Sequence, residues 1–163
     1  MGLAGCADSI HNEAARGDVE ALRARFESNA DACLALNRED KTALHYAINF
    51  AQRDSFLFLV EGDRCDPNAA DHSGMTPLHC AAFIGLPAAV PMLVEAGANI
   101  DARDTFGDTP LHTAAMKGYT DMVNALIDAG ADPSVKNNDG RTPHDLAVFY
   151  GQSDAATILE PAP

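Results

Sequence analysis

The sequence contains no tryptophan, and aromatic residues make up only 6% of its 163 positions. Strands draw on aromatic and β-branched side chains, so an alanine-rich chain this poor in aromatics favours closely packed helices over a β-sandwich. Basic residues are scarce as well, with 11 Lys and Arg against 24 Asp and Glu and a formal charge of −13. Affinity for nucleic acid of any sequence rests on cations that neutralise phosphates, so that class is excluded. Docking on an anionic membrane surface is excluded on the same ground. The charge supports solubility and long-range attraction to a basic partner. No apolar run approaches the ~18 to 20 residues of a membrane span. The four cysteines, Cys6, Cys33, Cys65 and Cys80, form no C-x-x-C pair. Neither a zinc knuckle nor a dithiol redox site is suggested, and reduced thiols in a cytoplasmic compartment are expected. Neither a G-x-G-x-x-G nor a Walker loop occurs, so no phosphate cradle is encoded.

What is present argues for a folded chain. Hydrophobic residues make up 47% of the sequence, well above disordered chains. The length suits one compact domain or a short repeat array, but not two ordinary domains. At the N-terminus, Met1-Gly2-Leu3-Ala4-Gly5-Cys6 loosely resembles a dual-acylation signal, with Cys6 where Ser or Thr is preferred. Leu3-Ala4-Gly5-Cys6 also resembles a lipoprotein cleavage box, though neither a basic n-region nor an apolar h-region precedes it.

A fixed period organises the rest. Thr42-Ala43, Thr76-Pro77, Thr109-Pro110 and Thr142-Pro143 recur at spacings of 34, 33 and 33. Two of the pairs open the long shared strings Thr76-Pro77-Leu78-His79-Cys80-Ala81-Ala82-Phe83-Ile84-Gly85 and Thr109-Pro110-Leu111-His112-Thr113-Ala114-Ala115-Met116-Lys117-Gly118. Each part has a physical role. Thr caps a helix through its hydroxyl oxygen, and Pro fits the first helical position. Paired alanines let helices approach closely, and Gly85 and Gly118 accept the left-handed conformation that follows a helix. Met122, Val123, Leu126 and Ile127 mark the apolar stripe of a second helix, closed by Gly130.

These strings resemble the ankyrin repeat, whose length and T-P-L-H-x-A core they match. The resemblance covers nearly the whole chain and implies an all-α solenoid of stacked helix-turn-helix units joined by β-turn loops. One domain, 1–163, is expected, with units at about 5–36, 37–70, 71–103, 104–136 and 137–160. Departures fall largely in the terminal units, where a missing neighbour demands a polar face. Ile10-His11-Asn12-Glu13-Ala14 stands in the first, and His144 replaces the usual Leu in the last. The second unit lacks both glycines, with Asp40 and Ala51 in their places, and has one extra residue before Asp66. Pro91 inside a second helix predicts a local kink.

Candidate chemistry is thin. The in-phase His45, His79 and His112 invite a metal site, but the resemblance implies that each bonds neighbouring turn backbone and locks one unit to the next. His79 and Cys80 point about 100° apart on a helix and do not share a proton. The Asp residues sit mainly in loops, as turn formers and caps. No enzyme, cofactor, metal or small-molecule substrate is expected.

The resemblance implies instead a protein-binding or peptide-binding scaffold, an adaptor gripping its partner in a concave groove of loop tips and first helices. The variable positions there include Phe50, Met75, Phe83, Ile84, Phe106, Met116, Lys117, Arg141, Phe149 and Tyr150. Half of the chain's ten aromatic residues, seven Phe and three Tyr, fall in this set. Aromatic and Met anchors of this kind mark contact surfaces. The variable positions together carry a charge of about +1, so the acidity lies off the groove. An apolar or mixed protein surface is therefore the expected partner, and the chain is expected to be monomeric. The alternative is a membrane-tethered adaptor acylated at Gly2 or Cys6.

Overall fold

The computed structural model describes residues 3–61 and 64–160, and for residues 3–9 and Ala30 the backbone alone. Every regular element among the described residues is helical. Contacts gather into two compact bodies, Met1–Pro77 and Leu78–Pro163.

In the first body, α1 (Leu3–Arg16) and α2 (Val19–Ser28) form one helical pair, followed by a 3₁₀ turn at Ala30–Leu34. The second pair is α3 (Ala43–Asn49) and α4 (Arg53–Val60). Ile10 and Ala14, one helical turn apart on α1, are fully buried, as are Leu44, Ala47 and Ile48 of α3 and Leu59 of α4. This i, i+4 apolar spacing gives each helix one core-facing side. Helix α2 starts where the Asp18 carboxylate accepts the Ala21 N–H at 3.0 Å. That bond satisfies one of the donors left open at any helix start.

The second body holds α5 (Pro77–Ile84), α6 (Ala89–Glu95), α7 (Pro110–Lys117), α8 (Thr120–Asp128), α9 (Pro143–Phe149) and α10 (Ser153–Ile158). Only Pro77, the first residue of α5, falls in the first body. Leu78, Leu93, Leu111, Met122, Val123 and Leu126 are fully buried. Thr109 and Thr142 cap α7 and α9 with proline next in line, and Gly118 closes α7 at φ +72°.

Three local features differ from expectation or sharpen it. Pro91 produces no mid-helix kink. Helix α6 begins only at Ala89, so Pro91 is its third residue, inside the first turn, where an N–H has no intrahelical acceptor to lose. In the second unit the missing glycines leave the backbone path unchanged: Asp40 and Ala51 themselves take positive φ, 58° and 51°. The thiols of Cys33 and Cys65 are not reduced. They form a disulfide across 32 residues, with Cα atoms 5.4 Å apart. The pairing joins two loops far apart in sequence but adjacent in space, which is why spacing alone did not signal it.

Candidate functional site

The hairpin tips that project from the helical units are built by one repeated device. Asn37, Asp71, Asp104 and Asn137 each turn a side-chain oxygen back on their own loop. Asn37 Oδ1 accepts the Glu39 and Lys41 N–H groups, both at 2.8 Å. Asp71 accepts those of Ser73 and Met75 at 2.9 and 3.0 Å. Asp104 accepts those of Phe106 and Asp108 at 2.8 and 2.9 Å. Asn137 accepts those of Asp139 and Arg141 at 3.1 and 3.0 Å. A short polar side chain thus stands in for a backbone acceptor and holds the tip rigid. Neighbouring tips are tied together within each body. In the first, His72 N–H donates to the Glu39 carbonyl at 3.1 Å; in the second, Asn138 N–H donates to that of Phe106 at 3.0 Å.

The histidine row performs the locking role the resemblance implied. His45 Nδ1 accepts the Thr42 N–H at 3.2 Å, while Nε2 lies 3.0 Å from the Met75 carbonyl. His112 repeats this, with Thr109 N–H at 3.1 Å and the Arg141 carbonyl at 3.0 Å. His79 Nε2 reaches the Asp108 carbonyl at 3.0 Å. For His45 and His112, an N–H aimed at Nδ1 and a carbonyl at Nε2 fix the neutral tautomer with its proton on Nε2. Burial pushes the pKa of both rings down, against smaller opposing effects of the carbonyl bonds and nearby Asp carboxylates. Each ring therefore spends both nitrogens on backbone. In α9, Asp145 takes the equivalent place and closes only its own helix start, accepting the Thr142 N–H at 2.9 Å. Bonds from Thr142 hold its carboxyl below the usual carboxylate range.

On this frame the second body presents most of the expected contact residues. Phe83, Phe106, Phe149 and Tyr150 are exposed, Phe106 at 69% and Phe149 at 63%. Lys117, at the end of α7, lays its Nζ 3.9 Å above the Phe83 ring of α5. Arg141, beneath its own hairpin tip, places Cζ 4.6 Å from the Phe149 centroid. Phe149 in turn meets Tyr150 edge to face at 5.1 Å. Phe83 and Phe149 thus each carry a stacked cation while remaining exposed. Ile84 and Met116 are partly covered, and the Met116 carbonyl accepts Gln152 Nε2 at 3.3 Å.

The first body carries the other two, Phe50 and Met75. Phe50 is exposed and stacks on Tyr46, with centroids 6.1 Å apart and planes 15° apart. Tyr46 is fixed in turn by Asn37 Nδ2, which donates to its hydroxyl at 2.9 Å. Met75 is half-buried, and its backbone is engaged by both Asp71 and His45. The expected set omits five exposed apolar side chains: Leu34 at the end of the 3₁₀ turn, Leu36 just after it, Tyr119 just before α8, Val148 on α9 and Ile158 at the end of α10. Val148 directly precedes the Phe149-Tyr150 pair, and that adjacency was the available signal. For the two leucines, the available signal was their place outside any helical stripe. Gly2 lies outside the described residues, as does the side chain of Cys6. No helix among the described residues is long and apolar enough to cross a membrane.

Comparison with known proteins agrees with this architecture. The family model for ankyrin repeats in three copies matches residues 10–104 and 85–161. The chain belongs to the ankyrin-repeat family. It is 36% identical over 95 residues to cyclin-dependent kinase 4 inhibitor B of Bos taurus, covering 58% of this chain and 70% of that protein. To the Homo sapiens protein of the same name it is 34% identical over 100 residues, covering 61% and 70%.

Proposed function

We propose that this chain is a non-enzymatic scaffold that holds a protein or peptide partner against the tip-and-first-helix face of its second body. The supporting observation is the arrangement of Phe83, Phe106, Phe149 and Tyr150, exposed on rigid supports, with Lys117 and Arg141 stacked on two of the rings. Exposed apolar patches mark interaction sites, and aromatic and Arg residues are the usual anchors. Rigid tips keep the ordering cost of binding low. Ile84 and Met116 add pliable apolar area, with Phe50 and Met75 serving as a separate patch on the first body. The partner surface is apolar, with carboxylates placed to meet Lys117 and Arg141. Affinity capture from the source cell, run beside a Phe83→Ala/Phe106→Ala double variant, tests this: the partner is retained by the native chain and lost by the variant.

A second reading takes the partner to be a protein kinase, on the strength of the 34–36% identity to cyclin-dependent kinase 4 inhibitor B. Much of the repeat is common scaffold, so the direct check is inhibition of purified cyclin-dependent kinase 4 by this chain. Unchanged kinase activity at tens of micromolar chain removes that reading and leaves the scaffold intact. Cytoplasmic residence rests partly on reduced thiols, a support that the Cys33–Cys65 disulfide removes.

A further inference from the structure

We infer that the chain folds in an oxidising compartment, where the Cys33–Cys65 disulfide forms as a permanent staple between consecutive loops of its first body. The placement follows the repeat. Aligning Asp31, Asp66, Asn99 and Asp132 puts Cys33 in register with Asp101, and Cys65 one residue before the equivalent of Asp132. In the second body, Asp101 Oδ1 accepts the Asp132 N–H at 3.1 Å, an exposed hydrogen bond between successive loops. The first body makes the same inter-loop connection with a covalent bond. Its Cα separation of 5.4 Å is ordinary for a disulfide.

Both cysteines are buried, at 5% and 4% exposure. Thiol–disulfide exchange needs an accessible sulfur, so this bond is suited to persistence rather than to catalysis or sensing. The location also matches a need. The first body carries two non-glycine left-handed residues, Asp40 and Ala51. It also carries the buried Ser55 hydroxyl, which has no hydrogen-bond partner among the described residues, and the extra residue before Asp66. A staple holds these imperfect units in register. Glutathione and thioredoxin keep cytosolic thiols reduced, so a structural disulfide of this kind belongs to an exported or otherwise oxidising setting.

Formation consumes one oxidant, a protein disulfide of the thiol oxidoreductase class. One cysteine thiolate attacks that disulfide, giving a mixed disulfide and expelling one oxidant thiolate. The second cysteine thiolate then attacks the mixed disulfide and expels the other. Two thiols lose two electrons and two protons, and the oxidant leaves as a dithiol.

The experiment is acid quenching of the source cells, alkylation under denaturing conditions without reductant, and peptide mapping of the full chain. The expected result is a Cys33–Cys65 linked peptide in most molecules, with the chain fractionating outside the reducing cytosol. Alkylation of both Cys33 and Cys65 in the quenched cells overturns the inference. So does a linked peptide that appears only after aerobic purification. A thermal scan of purified chain adds a second readout: reductant lowers the midpoint of the native chain and leaves a Cys33→Ser/Cys65→Ser variant unmoved. Equal midpoints with and without reductant in the native chain, with the linkage confirmed broken, overturn the staple role.

Discussion

Replacing Ala51 by glycine is expected to make the protein more stable, and the reverse change at Gly118 to make it less so. The two residues occupy the same repeat position, just past the end of a first helix, and both are left-handed: φ 51° at Ala51 and 72° at Gly118. A Cβ in that conformation crowds the following carbonyl, at roughly 1–2 kcal/mol. Glycine removes this crowding but gives back about 0.4–1 kcal/mol through the freedom it adds to the unfolded chain. Ala51→Gly should therefore gain about 0.5–1 kcal/mol. Gly118→Ala incurs the backbone penalty and meets a further obstacle, because its new Cβ would collide with Oε1 of Gln152. Moving that side chain breaks its bond to the Met116 carbonyl. With a net hydrogen bond near 1 kcal/mol, the combined loss is about 2 kcal/mol. Urea unfolding followed by circular dichroism measures both, as opposite displacements of the midpoint. Each kcal/mol corresponds to roughly 2–4 °C in a parallel thermal scan. A destabilised Ala51→Gly variant would refute the reasoning, since it would mean that the alanine side chain contributes more than its conformation costs.

Other outcomes follow from the same structure. The folded-state pKa of His45 and of His112 is lowered, so the native state binds fewer protons than the unfolded chain. Their contribution is present above the unfolded value near 6.5 and is lost as pH falls from there through the lowered folded values. Urea midpoints between about pH 7 and 5 should fall with acidity, above the range where carboxylates titrate; a flat profile would contradict the neutral Nε2–H assignment. His112→Ala strips partners from the buried Thr109 N–H and the Arg141 carbonyl, and should cost about 2–5 kcal/mol by the same assay. Less than 1 kcal/mol would show that the inter-unit lock is dispensable. Removing the disulfide with Cys33→Ser/Cys65→Ser opens a loop of 32-residue separation, for which the chain-entropy estimate is about 3–4 kcal/mol. Amide exchange should show that loss concentrated in residues 3–61 rather than in the second body.

The repeat was legible because each of its parts answers a local demand. Thr109 with Pro110 starts a helix, Gly118 ends it, and Asp104 folds the tip, so the residues alone place these features. The histidine lock became visible only through resemblance, since nothing in the spacing of His45, His79 and His112 says which carbonyl each would meet. The exposure of Phe83, Phe106 and Phe149 also followed from repeat phase. The cation over Phe83 did not, because Lys117 reaches it from the next unit, 34 positions away. The disulfide was hidden for the same reason: Cys33 and Cys65 are neighbours only once two loops are stacked. Pro91 makes no kink because α6 starts late enough to place it in the first turn, and sequence patterns fix helix starts loosely.

Binding by the second body is the central claim, and its most direct measurement is the affinity of the captured partner for the native chain and for Phe83→Ala/Phe106→Ala, with thermal midpoints recorded on the same samples. Truncating anchor aromatics typically costs 1–2 kcal/mol or more each, so the double variant should bind at least about tenfold more weakly. Its midpoint should stay near the native value, because both side chains are exposed. Native-like affinity in the double variant, or weakening that merely tracks a collapse in stability, would contradict the account.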